Sequence, residues 1–215
     1  MDSQPPPPFR VLVVCRANVC RSTLAHAVLA AGLGPAVTVT SAGTSAMVGA
    51  PPCLHVVDAL GADAHALPAA ARQLTREDVL DADLVLGADR ATCSEVISLA
   101  PAARQRVLTL RELPLVATVA LETVAPPDAH ALVAALTGAR AEAWRRATTA
   151  GEHRSAVRRL LGPRRGPSLA DRDLPDGHTI DERSHRATIV TGLVTARSAA
   201  HILRGVLESE GAERS

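Results

Sequence analysis

The chain has 215 residues, 47% of them hydrophobic and 21% charged, with a formal net charge of +1. That is enough apolar material for a substantial core, and too little charge imbalance for a diffuse electrostatic hold on nucleic acid. All 23 basic residues are arginine, which excludes lysine-dependent phosphate loops, Schiff-base chemistry and lysine general bases. With no tyrosine, one phenylalanine (Phe9) and one tryptophan (Trp144), a nucleic-acid surface of stacked rings is excluded as well.

In chain order, residues 1–9 read as a disordered tail of polyproline character at Pro5 to Pro8. The tail has no apolar signal core. The uncharged stretch from Ala27 to Val57 is broken by seven Gly and Pro residues, so no membrane span is expected. The expectation is a cytoplasmic protein with reduced thiols at Cys15, Cys20, Cys53 and Cys93.

Val11 to Val14 is a continuous apolar, β-branched run, the pattern of a strand buried on both faces. A loop, Cys15 to Arg21, leads to a predicted helix over Ser22 to Leu33, closed by Gly34. Val37 to Thr40, Leu84 to Ala88 and Arg106 to Leu110 are three further strands. Helices are expected over Leu54 to Leu60, about Thr92 to Leu99, Asp128 to Ala150, His153 to Leu161 and about Asp181 to Glu208. Short apolar runs alternating with helices indicate a parallel α/β sheet. The arginines of Arg154 to Arg165 read as a solvated helix face and loop.

The chemistry concentrates in VLVVCRANVCRSTLAHAVL, residues 11–29. A buried strand ends on Cys15, and C-x5-R-S leads into a helix. Successive backbone N–H groups in such a loop can turn inward as an oxyanion nest. The helix N-terminus adds its positive end, and Arg21 closes the ring with a planar fork of donors. Cys15 then lies at the focus of those dipoles, where its thiolate is stabilised. Ser22 can donate to that sulfur. Asn18 suits a positive-φ position. The nest itself would be built from Arg16, Ala17, Asn18, Val19, Cys20 and Ser22.

CRANVCRST resembles the phosphate loop of the low-molecular-weight protein tyrosine phosphatases, usually C-x-G-N-x-C-R-S-P. Ser41 to Thr44, Gly49 to Pro52, Ala71 to Thr75, Leu84 to Arg90 and Val107 to Leu113 are similar to segments of that family. The likeness covers Arg10 to about Leu113 and resumes from near Asp173 towards Leu207. The segment between resembles the helical insertion of longer bacterial members.

The resemblance implies a single domain over residues 10–209 with an insertion at about 114–170. Its fold would be a four-stranded parallel sheet of order 2-1-3-4, with helices on both faces and the phosphate loop after the first strand. It implies Cys15 as nucleophile, Arg21 as phosphate clamp and a loop aspartate as general acid. In Asp173-Leu174-Pro175-Asp176-Gly177-His178 the matching position is Asp176, with Asp173 and Asp171 as rivals and His178 as a further candidate acid. The expected substrate is a phosphorylated protein, phosphotyrosine above all, or a small phosphomonoester. No cofactor or metal is expected, and neither nucleic acid nor membrane is an expected partner.

Several positions depart from the family. Ala17 replaces a glycine, which would strain the loop if φ is positive there. Thr23 replaces a proline. Gly177 replaces the proline after the acid, implying a looser loop. Met47 and His178 stand where aromatic residues usually wall the pocket, while Val19 is apolar as in tyrosine-directed members. Cys20 has two readings, a partner for a reversible disulfide with Cys15 or a packed thiol. Cys53 and Cys93 read as structural, and His26 and His201 as packing or surface residues. The alternatives in function are arsenate reduction on the same fold, with Cys93 as relay, and a non-catalytic phosphate-binding module.

Overall fold

The computed structural model describes residues 8–123, 126, 128–158, 172–177 and 180–213. Most of the tail, the predicted end of the His153 to Leu161 helix, the side chains of the Arg154 to Arg165 face, Asp171 and His178 lie outside them.

Four parallel strands, β1 (Phe9–Cys15), β2 (Val37–Gly43), β3 (Leu84–Gly87) and β4 (Val107–Thr109), form one sheet in the order β2-β1-β3-β4. The central strand β1 pairs on both sides, and its residues from Val11 onward are buried. Alternation divides them. Val11 and Val13 join one apolar cluster with Leu84, Leu86 and Leu108, under helices α1 (Arg21–Leu33), α5 (Glu112–Thr123), α6 (Ala129–Arg158) and α7 (Glu182–Glu213). Leu12 and Val14 join a second cluster with Val85 and Val107, under α3 (Arg76–Asp81) and α4 (Arg90–Leu99). Helices therefore cover both faces, as the continuous β1 run requires. The remaining helix, α2 (Leu54–Leu60), follows the loop after β2.

Two helices escape the sequence pattern. The short α3 is announced only by its capping box, in which the Thr75 hydroxyl accepts from the Asp78 N–H while the Asp78 carboxylate accepts from that of Thr75. Helix α5 sits in an apolar stretch whose periodicity is masked by its burial. The two helices expected between Asp128 and Leu161 are one as far as Arg158, because Gly151 inside a long helix costs only about 1 kcal/mol relative to alanine.

The docking of α6 has one buried centre. Glu112 is fully buried at the start of α5. Its carboxylate accepts from Arg140 Nε at 2.7 Å and Nη2 at 2.8 Å, and from Trp144 Nε1 at 2.7 Å. Arg172 stands 3.8 Å from the same carboxylate and stacks 3.6 Å over the Trp144 ring. Arg140 also donates to the Val107 carbonyl, covering the edge of β4. Arg172 is the residue from which the chain turns toward Asp176, so the same centre anchors the base of that loop.

Candidate active site

The loop between β1 and α1 owes its shape to where its carbonyls go. The Cys15, Arg16 and Ala17 carbonyls accept from the N–H groups of Thr44, Ser45 and Met47 at 3.0, 2.9 and 3.0 Å. The Val19 carbonyl accepts from Cys53 N–H at 2.7 Å, and that of Cys20 from Leu24 N–H and the Thr23 hydroxyl. Five carbonyls are thus held on the outside. With those carbonyls engaged by neighbouring segments, the loop N–H groups can turn inward, as the nest expected from the C-x5-R-S spacing requires. The close fit at the back needs Gly43, where a Cβ would come within 2.5 Å of the Arg16 carbonyl oxygen.

Helix α1 begins with Cys20 as N-cap, without a side-chain cap or an acidic residue in its first turn. Helix α4, by contrast, is capped by Asp89, whose carboxylate accepts from Thr92 N–H at 2.7 Å. The positive end of α1 therefore remains available to an anion. Thr23, in the family's proline position, adds its own bond to the Cys20 carbonyl.

Asn18 has φ 57°, the sole positive value among the described non-glycine residues, so Ala17 carries no such strain. The Asn18 amide has one possible orientation. Its oxygen accepts from Arg72 N–H at 2.9 Å, so its NH2 donates to Ser22 Oγ at 2.9 Å and Ser41 Oγ at 3.1 Å. Ser22 Oγ also lies 3.0 Å from Cys15 Sγ, where its hydroxyl can donate to the sulfur once that is a thiolate. Asn18 N–H adds a second contact to the sulfur at 3.3 Å. Cys15, Asn18 and Ser22 are all buried.

Arg21 is buried, with its guanidinium spanning three segments. Nη1 donates to Asp89 Oδ2 at 2.6 Å and to the Leu174 carbonyl at 3.1 Å, and Nη2 donates to Asp176 Oδ2 at 2.9 Å. Among the described residues, Nε–H bonds no acceptor and Nη2 bonds only Asp176, which leaves donors of the guanidinium for an anion.

The segment around Asp176 is pinned, not loose. Asp173 takes a bidentate grip from Arg90, at 3.1 Å from Nε and 2.8 Å from Nη2, together with Arg90 N–H at 2.9 Å. Partial burial opposes ionisation of Asp173, but the Arg90 hydrogen bonds outweigh it and hold the carboxyl below its ordinary range. The Asp173 carbonyl accepts from Arg111, Leu174 N–H bonds the Ala88 carbonyl, and Thr188 bonds the Pro175 carbonyl. Gly177 is buried against α7, where a Cβ would collide with the Ser184 carbonyl. Asp173 thus lies on Arg90, and Asp176 lies on Arg21.

A cavity of about 350 Å³ opens over the loop, lined by Cys15, Ala17, Val19, Arg21, Met47 and Asp176 among others. Its wall is aliphatic where Val19 and Met47 stand. Cys93 is buried in the second cluster and donates to the Leu108 carbonyl. Beside the loop, Cys20 Sγ lies 3.2 Å from His185 Nε2, and Cys53 Sγ lies 3.6 Å from the same atom. Burial first, then the neighbouring Cys53 and Cys15, push the Cys20 thiol up to about 12. This grouping has no local motif, since its residues stand 33, 132 and 165 positions apart.

Residues 10–127 match the family described as low molecular weight phosphotyrosine protein phosphatase. Over 106 residues the chain is 39% identical to the Ralstonia nicotianae protein named "Probable low molecular weight protein-tyrosine-phosphatase EpsP", covering 48% of this chain and 71% of that one. Among solved structures, the YwlE arginine phosphatase of Geobacillus stearothermophilus superposes with a TM-score of 0.57 at 20% identity, covering 97% of this chain and 98% of that one. The Erwinia amylovora tyrosine phosphatase AmsI superposes with the same score at 18% identity, covering 95% and 96%. At those identities the likeness is one of fold. Among the described residues, no helix is long and apolar enough to cross a membrane. With the family profile spanning more than half of the chain, and a 39% identical relative covered over most of its length, this protein belongs to the low molecular weight phosphotyrosine protein phosphatases.

Proposed function

We propose that the protein hydrolyses phosphate monoesters, protein phosphotyrosine foremost, through a phosphocysteine at Cys15. The observation that carries this reading is the Cys15 sulfur held by Ser22 Oγ at 3.0 Å and Asn18 N–H at 3.3 Å, in a loop whose carbonyls face away from it. In the first step the thiolate attacks phosphorus, the S–P bond forms and the P–O bond breaks. The departing oxygen takes its proton from Asp176. In the second step the Asp176 carboxylate takes a proton from water as that water attacks phosphorus. The S–P bond breaks, phosphate leaves and the thiolate returns to the Ser22 hydroxyl. Loop amides from Arg16 to Ser22 and the Arg21 fork hold the equatorial oxygens throughout.

The aliphatic wall of Val19 and Met47 favours an aryl or alkyl group over a guanidinium beyond the phosphate. That wall supports phosphotyrosine, the substrate in the name of the Ralstonia relative, over the phosphoarginine of the Geobacillus structure's title. Arsenate reduction lacks its relay, because Cys93 is buried under the other face of the sheet. On this reading residues 10–209 act as one domain with an insertion at about 114–170. The protein works in the cytoplasm, where its four cysteines stay free.

The test is hydrolysis of nitrophenyl phosphate with mass-spectrometric trapping of phosphocysteine. Cys15→Ser should lose turnover and still bind vanadate. Undiminished activity in that variant would overturn the covalent reading.

A further inference from the structure

Beside the phosphate loop, three metal-binding side chains converge from three separate elements. Cys20 ends the loop, Cys53 is the N-cap of α2 and His185 lies in the first turn of α7. Their ligand atoms, two Sγ and one Nε2, all lie within 4.8 Å of one another. Cys20 and His185 are buried, and Cys53 is half-buried.

From these positions we infer a site for a thiophilic d10 cation, zinc or copper(I), held by Cys20, Cys53 and His185. The site shares Cys20 with the phosphate loop, but its side-chain donors take no part in the proposed phosphatase steps.

The geometry fits the ion. Bond lengths of about 2.3 Å to sulfur and 2.0–2.1 Å to nitrogen at a tetrahedral angle place sulfur and nitrogen ligands about 3.6 Å apart. The two sulfur–nitrogen separations here are 3.2 and 3.6 Å. Hydrogen bonding uses this arrangement poorly. In either tautomer Nε2 offers one lone pair or one N–H for one strong bond, yet two sulfurs lie within reach of it. A cation between them engages all three atoms, and soft thiolates select zinc or copper(I) over magnesium or calcium.

The surroundings suit a cation too. His55 Nδ1 lies 4.0 Å from Cys53 Sγ and offers a further donor for a fourth position. The His55 ring is tilted against that of His185 at 4.8 Å between centroids. Its outer nitrogen lies 4.0 Å from the Glu182 carboxylate. His55 and Glu182 are solvent-accessible, which leaves an entry path from that side. Binding of a divalent ion would release the two thiol protons and form two metal–sulfur bonds and one metal–nitrogen bond, with no change of oxidation state. The bound ion would fasten the end of the phosphate loop to α2 and to the start of α7, the helix that Thr188 ties to Pro175 beside Asp176.

The test uses the full chain, stripped with a chelator under a thiol-free reductant. It is titrated with Co2+ as an optical probe and with Zn2+ against a chromophoric chelator. The expected result is one Co2+ per chain with thiolate-to-cobalt charge-transfer absorption, displaced by Zn2+. Zn2+ affinity should fall by about 100-fold or more in Cys53→Ser and in His185→Ala, beyond the range for loss of an outer-shell partner. Cys15→Ser and Cys93→Ser should keep the band. Circular dichroism of Cys53→Ser, whose replaced side chain is only half-buried, separates loss of a ligand from loss of the fold. A folded Cys53→Ser with undiminished Zn2+ affinity overturns the site. So does a wild-type chain without the charge-transfer band, or a band lost in Cys15→Ser and kept in Cys53→Ser.

Discussion

Arg21 and Asp176, 155 residues apart in sequence, are joined by a hydrogen-bonded ion pair of 2.9 Å. In the proposed reaction a phosphate dianion approaching the nest competes with Asp176 for the same guanidinium. Displaced from Arg21, the carboxyl becomes available to the departing oxygen, the position a general acid needs.

Asp176→Asn separates binding from catalysis. Turnover of phenyl or alkyl phosphates should fall by about 10²–10⁴-fold, the range for loss of a general acid. The loss should be smaller for nitrophenyl phosphate, whose leaving group needs little protonation. Vanadate should bind several-fold more tightly, because a carboxylate no longer competes for Arg21. Asp173→Asn is the control, and a leaving-group-dependent loss there instead would move the acid by three residues.

Asn18→Ala tests the support under Cys15. Alanine pays about 1–2 kcal/mol for the left-handed backbone and leaves the Arg72 N–H unpaired, at about 1–3 kcal/mol more. It also removes the bond that positions the Ser22 hydroxyl beside the sulfur. Urea unfolding should report a loss of about 2–5 kcal/mol, and steady-state kinetics a lower kcat.

Glu112→Ala leaves Arg140 without its carboxylate partner beside the β4 edge. Removing one partner of a fully buried pair costs about 3–5 kcal/mol, and the loss here should be smaller because the Arg140 side chain is 34% exposed and water can solvate it. Since Arg172 and Trp144 share that centre, amide exchange should rise in α6 and in the segment around Asp173. An unfolding midpoint equal to that of the wild type would show that α6 is held elsewhere.

Asp173→Asn should have a pH-dependent effect on stability. The folded-state acidity of Asp173 is held below its ordinary 3.8, so the carboxylate stabilises the fold above that value. The contribution is lost as pH falls through the depressed folded value. Wild type should therefore be the more stable protein at pH 7, and the difference in urea midpoint should shrink steadily below about pH 4. A difference independent of pH would mean that the Arg90 grip is replaced by the asparagine amide.

Much of this was already legible in local order along the chain. A β-branched run followed by C-x5-R-S states strand, nucleophile, cation and helix start within a dozen residues. Both the nest and the parallel sheet follow from short-range backbone geometry and alternation. Asn18 at positive φ is of the same kind. What the chain order left open depends on contacts between distant segments. Which of Asp173 and Asp176 lies against Arg21 and which against Arg90 depends on arginines far from both in sequence. Gly177 looks like a loosened loop until the Ser184 carbonyl is seen against it. Nothing in the local sequence RELP marks Glu112 for burial, yet Arg140 and Trp144 from α6 make it the buried centre of that packing. Cys20, Cys53 and His185 belong to no motif, and only the seating of α2 and α7 against the end of the phosphate loop brings their donors together. Local sequence dictates which backbone conformations are cheap. Which buried charges and thiols meet is set by how the helices pack, where an unpaired polar group is too costly to leave alone.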